Sequence, residues 1–269
     1  ARKKQRERAE GKVVSSAAGP GGILTSFREG IQTLTNILEE KLGNGTVVTG
    51  RETTGIRAGK SVPYTVRTVA GDLDADLVVV AAPSFAAAGM LREFDPGIAG
   101  ILDDIPYASM TVACFGYERE RLAHDLDGFG YLIPKGEGMS TLGTLWDSSI
   151  FEDRAPEGHV LLRSMLGGAC FPEYVERSDE EVERRVREDL KTTMGIKESP
   201  SFVRIFRHEK AIPQYTVGHG ERLRALEELL KARPGLILTG NSYRGIGLND
   251  CVAAANRAAE EGVAYLMGR

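Results

Sequence analysis

Between Gly240 and Asp250 the sequence reads GNSYRGIGLND, and this run holds the residue types best suited to chemistry. Gly240, Gly245 and Gly247 let a ligand approach the backbone closely. Asn249 and Asp250 are polar residues of the kind that cap a helix. Before the run, Leu236-Ile237-Leu238 has the apolar character of a short buried strand. After it, Val252, Ala253, Ala254, Ala258, Val263 and Leu266 recur at helical spacing. A strand, a glycine turn and a capped helix present unpaired N–H groups and a positive dipole end to an anion or an electron-rich carbonyl. The same residues serve equally as an ordinary β–turn–helix whose glycines only make the turn.

Elsewhere, reactive residues are sparse. His124, His159, His208 and His219 show no metal-ligand spacing, so no metal site is expected. His219 follows Gly218 and precedes a helical stretch, which suits a cap or a hydrogen-bonded structural histidine better than a general base. Asp250 reads as a helix cap rather than a catalytic acid, and no catalytic acid or base is assigned. Cys114, Cys170 and Cys251 are odd in number and far apart, and read as reduced, intracellular and structural. With 34 basic and 38 acidic residues the net charge is −4, which leaves no electrostatic footprint for nucleic acid. There is no apolar run near 18 residues, and no signal peptide is expected. Cytoplasmic residence is expected, with peripheral contact at the inner membrane and a homodimer left open.

Other elements must position the glycine run. Residues 1–23 pair a charged stretch, ARKKQRERAEGK, with a flexible SSAAGPGG, and read as a helix tail and linker or as a disordered basic tail. Short strands are expected at 23–27, 46–48, 53–56 and 64–69, with a helix at 33–42 whose apolar face is Leu34, Ile37, Leu38 and Leu42. Residues 75–83 read as a continuous buried strand of the parallel-sheet type, followed by a helix from Ser84 to Phe94. The middle differs. Strands at 109–116, 130–134, 142–146, 159–166 and 202–207 surround one strong helix, Asp179 to Met194, with Val182, Val186, Leu190 and Met194 on one face. A further helix is expected over 222–232. The fold class is therefore α/β plus α+β: a partial Rossmann-like domain from 24–96 and 219–269, with an inserted domain, 97–218, on a mixed or antiparallel sheet. No GxGxxG follows a strand and opens a helix.

TSFREGIQTL, LVVVAAPSFAA, GFGYLIP, LGTLWDS, LLRSMLGG, AIPQYTVGH and GNSYRGIGLNDC occur in this order. Together they resemble the protoporphyrinogen oxidase family of amine-oxidase-like flavoproteins, over residues 24–269. The resemblance is to the C-terminal portion of such an enzyme; the N-terminal strand, GxGxxG turn and ribose-binding acid have no counterpart here. It implies FAD as cofactor and a porphyrinogen as substrate, with O2 as acceptor. The reaction it implies is oxidation of protoporphyrinogen IX in haem biosynthesis, with coproporphyrinogen III or an amine as runner-up substrates. A non-catalytic porphyrin-binding fragment is the alternative from another class. The lone chain is expected to be catalytically silent unless a complementary N-terminal segment or chain is supplied.

The resemblance also implies site residues. Asn241, Ile246, Gly247 and Leu248 correspond to FAD-contacting positions, and Thr53 to the position whose backbone meets the adenine. Phe129, Gly130, Leu132, Leu145 and Met165 match substrate-pocket positions, all apolar or glycine, as a large apolar macrocycle requires. Strand residues pointing into a core would look the same. The family's carboxylate-pairing arginine has no counterpart, and Arg28, Arg163 and Arg244 are the candidates to replace it.

Overall fold

The structure, a computed structural model, describes residues 24–268; the helix tail and linker expected over 1–23 lie outside them. In chain order the elements are α1 (Gln32–Leu42), β1 (Thr53–Ala58), β2 (Tyr64–Thr68), β3 (Gly71–Ala75), β4 (Val78–Val80), α2 (Ser84–Leu91) and α3 (Pro96–Asp103). There follow β5 (Tyr107–Glu118), β6 (Gly130–Leu132), β7 (Thr141–Leu145), α4 (Asp147–Ile150), β8 (His159–Gly167) and α5 (Asp179–Met194). The chain closes with β9 (Phe202–Pro213), α6 (His219–Lys231), β10 (Leu236–Leu238) and α7 (Leu248–Met267).

These elements divide into two units, one of 48–107 with 212–268 and one of 24–47 with 108–211. In the first, β10 lies parallel to β4, with Leu236 opposite Val78 and Leu238 opposite Val80. A separate antiparallel meander is formed by β1, β2 and β3. Val80, Leu91, Ile98, Leu102, Leu223, Leu226, Leu236 and Tyr243 share its core. The strand expected over 75–83 shrinks to Val78–Val80. The chain leaves the ladder before Pro83, which has no N–H to donate and is the N-cap of α2.

In the second unit, five strands run in the order β6-β7-β8-β5-β9. Helix α5 covers one face, with Val182, Val186 and Leu190 against Ala113, Phe115, Tyr117, Val160 and Leu162. The ends of this helix are written locally. Ser178 Oγ accepts from Glu181 N, three acids occupy the first turn, and Gly195 closes the helix at φ +71°.

The division differs from the expected one at three places. Asp95-Pro96-Gly97, expected as a boundary, opens α3 instead: the Asp95 carboxylate accepts from Gly97 N and Ile98 N at 3.1 Å each, and Pro96 sits in the first turn. The first crossing between units thus moves to 107/108, and the return from 218/219 to 211/212. Residues 24–47 join the antiparallel-sheet unit, because the Arg154 guanidinium donates to Ser26 Oγ, Phe27 O and Arg28 O at 2.8–3.0 Å. Residues 24–27 and 46–48, expected as strands, lie in no ladder. Helix α1 forms as expected, yet Ile37, Leu38 and Leu42 on its apolar face are exposed. No described helix is long and apolar enough to cross a membrane.

Candidate functional site

Parallel pairing of β10 delivers the chain to the glycine run, and Thr239 N continues the ladder to Val80 O at 3.0 Å. The loop from Gly240 to Gly247 is then fastened at successive residues. Tyr215 Oη donates to Asn241 O at 2.6 Å. Ser242 Oγ lies 2.6 Å from Tyr107 Oη and accepts from Ser84 N at 3.1 Å. Tyr243 O lies 2.9 Å from His219 Nε2, and its ring is buried in the core. Arg244 pairs with Glu227 on α6. Burial pushes the Tyr243 phenol well above its ordinary pKa; it raises Tyr215 as well, against a hydrogen bond from the Gly245 backbone that lowers it.

Beyond this pinned segment the chain faces outward. Ile246, Gly247 and Leu248 are exposed, and α7 starts with Gly247 as its N-cap. Asp250 Oδ2 accepts from Gly247 N at 3.1 Å, so this carboxylate is a cap, as its position suggested. Helix geometry leaves the next N–H groups, of Leu248 and Asn249, without intrahelical acceptors at the positive end of a 20-residue helix. Gly245, at φ +94°, could not carry a side chain: a Cβ there would lie 2.4 Å from Asp250 Cβ. Gly247 differs. A Cβ there would meet only the end of the Asp250 side chain, at 3.1 Å, so the space before the helix is open to a ligand. Asn241, Ile246 and Gly247 thus lie on one loop and Leu248 opens the helix after it, with the backbone of Asn241 held by Tyr215 and that of Gly247 by Asp250. Thr53 opens β1 in the meander, half-buried, at a bulge between Thr53 and Gly55.

The substrate-type residues lie in the other unit, and register sorts them. Gly130 stands opposite Leu145, Leu145 opposite Arg163, and Arg163 opposite Cys114. One step along, Leu132 stands opposite Gly143, Gly143 opposite Met165, and Met165 opposite Val112. Directly opposed residues share a sheet face, so both rows lie on the face away from α5. Phe129 immediately precedes them, half-buried, its carbonyl accepting from Trp146 N at 3.0 Å. Gly130 is required by its backbone: φ is +131°, and a Cβ would lie 2.1 Å from Thr144 O.

Of the three candidate arginines, Arg28 pairs with Asp153, Arg244 with Glu227 and Arg163 with Asp147 at 2.9 Å. Only Arg163 stands in the rows just described. Burial raises the Asp147 carboxyl pKa, and the adjacent Arg163 charge and hydrogen bond pull it back down. Sequence reasoning did not find Tyr107, Ser84 and Ser242 as a unit, since 135 residues separate Tyr107 from Ser242 and no local pattern joins them. The fastening by Tyr215 was within reach, because it stands four residues before His219 in the same motif.

One unit thus carries parallel strands and a glycine-opened helix, and the other an antiparallel sheet with apolar rows on the face away from α5. The match to the family described as flavin containing amine oxidoreductase covers residues 4–261, and the chain belongs to that family. The family is one of flavin-containing oxidoreductases, and the space left open at Gly247 is compatible with such a group. The coproporphyrinogen III oxidase of Bacillus subtilis (strain 168) is 32% identical over 264 residues, 97% of this chain and 56% of that protein. The chloroplastic protoporphyrinogen oxidase of Nicotiana tabacum is 30% identical over 260 residues, 91% of this chain and 47% of that protein. A crystal structure assigned as a protoporphyrinogen oxidase from Exiguobacterium sp. 255-15 superposes with a TM-score of 0.77 at 26% identity, covering 90% of this chain and 52% of that one. The chain spans about half the length of the curated relatives it matches.

Proposed function

We propose that the chain is the part of a flavoenzyme that oxidises a porphyrinogen, with protoporphyrinogen IX as substrate and O2 as terminal acceptor. The observation that carries this reading is the pair of rows on the open sheet face, Gly130–Leu145 and Leu132–Gly143–Met165. Two glycines flatten the surface while leucine and methionine keep it apolar, which suits a large macrocycle that carries few polar groups. Asn241, Ile246, Gly247 and Leu248 would hold the flavin, with Thr53 lending backbone to its adenine end. The flavin supplies a two-electron acceptor, used three times per macrocycle. The chain's own part is electrostatic and positional. The N–H groups of Leu248 and Asn249 would supply donors to negative charge that develops on a reduced flavin. Ile246 and Leu248 supply apolar contact, and no side-chain base is required of His219. A second reading, oxidation of coproporphyrinogen III, is favoured by the Bacillus relative, which matches nearly the whole chain.

The test uses the full-length polypeptide that contains this chain. It is expected to purify with flavin absorbance and to convert protoporphyrinogen IX to a fluorescent porphyrin in an oxygen-dependent manner. Faster conversion of coproporphyrinogen III would select the second reading. A flavin-free protein that binds porphyrin without turnover would replace both with a porphyrin-binding role.

A further inference from the structure

The open face of the five-stranded sheet is apolar along two rows, yet one residue in those rows is a guanidinium. Arg163 stands between Leu145 on β7 and Cys114 on β5, one step from Met165. A lone arginine on an apolar strand face has to be explained by what it holds. Its recorded partner is Asp147, 8% exposed, whose Oδ1 accepts from Nη2 at 2.9 Å. That contact uses one nitrogen of a group with five N–H donors in a fixed fork. The Nε is buried without an acceptor among the described residues, while the side chain as a whole remains 41% exposed. Asp147 therefore fixes the rotamer without saturating the fork.

The surrounding charges add to the same side. The Arg154 charge also acts on Asp147 at longer range, its own guanidinium being bonded to Ser26, Phe27 and Arg28. Arg204, on the neighbouring β9 and lying over the Phe206 ring, acts with Arg163 on the Cys114 thiol. Positive charge from Arg163, Arg154 and Arg204 thus reaches the groups of this sheet face, while only Arg163 stands in its apolar rows.

We infer that Arg163 is a specificity-determining residue that takes a carboxylate arm of an otherwise apolar ligand lying on this sheet face, with Asp147 as its positioning residue. This rests on the porphyrinogen reading, since the arm belongs to that substrate class. Guanidinium and carboxylate are geometrically matched, and a carboxylate can accept from two N–H groups at once. Arg28 and Arg244 carry no such role: each lies outside the apolar rows.

The test is fluorescence titration of the full-length flavoprotein with coproporphyrin III and, separately, with its tetramethyl ester. Arg163→Gln is expected to raise the dissociation constant of the acid about tenfold while leaving the ester within twofold, and Arg163→Lys to recover part of the loss. Because Arg163→Gln leaves Asp147 buried without its partner, the pair Asp147→Asn with Arg163→Gln is measured alongside and is expected to show the same selective loss. Unchanged affinity for the acid, or equal loss of acid and ester in both variants, would overturn the assignment and leave the porphyrinogen reading standing. If the unsubstituted protein binds neither compound, the Arg163 assignment falls, while turnover of protoporphyrinogen IX decides the substrate reading separately.

Discussion

His219 Nε2 lies 2.9 Å from the carbonyl oxygen of Tyr243, and its imidazole stacks on Tyr215 with ring centroids 4.2 Å apart. A carbonyl can only accept, so the ring carries its proton on Nε2, and Nδ1 is buried without a partner among the described residues. The first residue of α6 thereby holds the middle of the glycine loop. We expect His219→Ala to leave the Tyr243 carbonyl unpaired at a cost of roughly 1–3 kcal/mol. Thermal denaturation should show the loss, with weakened FAD affinity in the full-length protein. Unchanged values of both would remove the anchoring role.

Gly247→Val tests the cradle. The φ of Gly247 is −68°, which any residue adopts, and the added Cβ meets only a mobile carboxylate end. Folding should survive. Flavin affinity should fall at least tenfold, about 1.4 kcal/mol, because the branch fills the space before the helix N-terminus. A fluorescence titration that returns the same FAD dissociation constant would refute the placement.

Two leucines separate packing from recognition. Leu162 is fully buried against α5, and Leu162→Ala should cost roughly 2–5 kcal/mol of stability. Leu132 is 77% exposed on the open face, so Leu132→Ala should leave stability within about 0.5 kcal/mol. Its KM for a porphyrinogen should nonetheless rise severalfold. A stability loss for Leu132→Ala comparable to that of Leu162→Ala would mean that this row is core rather than binding surface.

Alkaline stability should follow Tyr117, whose phenol is buried without a partner among the described residues and pushed up to about 12, chiefly by burial. The folded state keeps its proton where the unfolded chain has already lost it. The contribution is therefore complete below about pH 10 and is lost as pH rises through 12, at up to roughly 1.4 kcal/mol per pH unit. Denaturation midpoints of Tyr117→Phe should decline less steeply above pH 10 than those of the unsubstituted protein. Parallel profiles would show that this phenol is not the source.

Local chemistry made several elements legible in the sequence. Helix α5 could be read at both ends, because Ser178, the acids after it and Gly195 act within one turn of where they stand. The glycine run and the helix after it were legible for the same reason, as was the capping by Asp250. The well-spaced apolar stretches of the middle segment marked β5, β7 and β8. What the tertiary structure decided was everything that depends on a partner distant in sequence. Residues 24–27 and 46–48 have strand-forming residues but nothing to pair with, and the face of α1 has helical spacing but remains exposed. The same physics made Arg163 one of three equal candidates in the sequence and a distinct one in the fold. Only the registers of β6, β7 and β8 place its guanidinium in line with Gly130 and Leu145, and only chain reversal brings Asp147 within 2.9 Å of it.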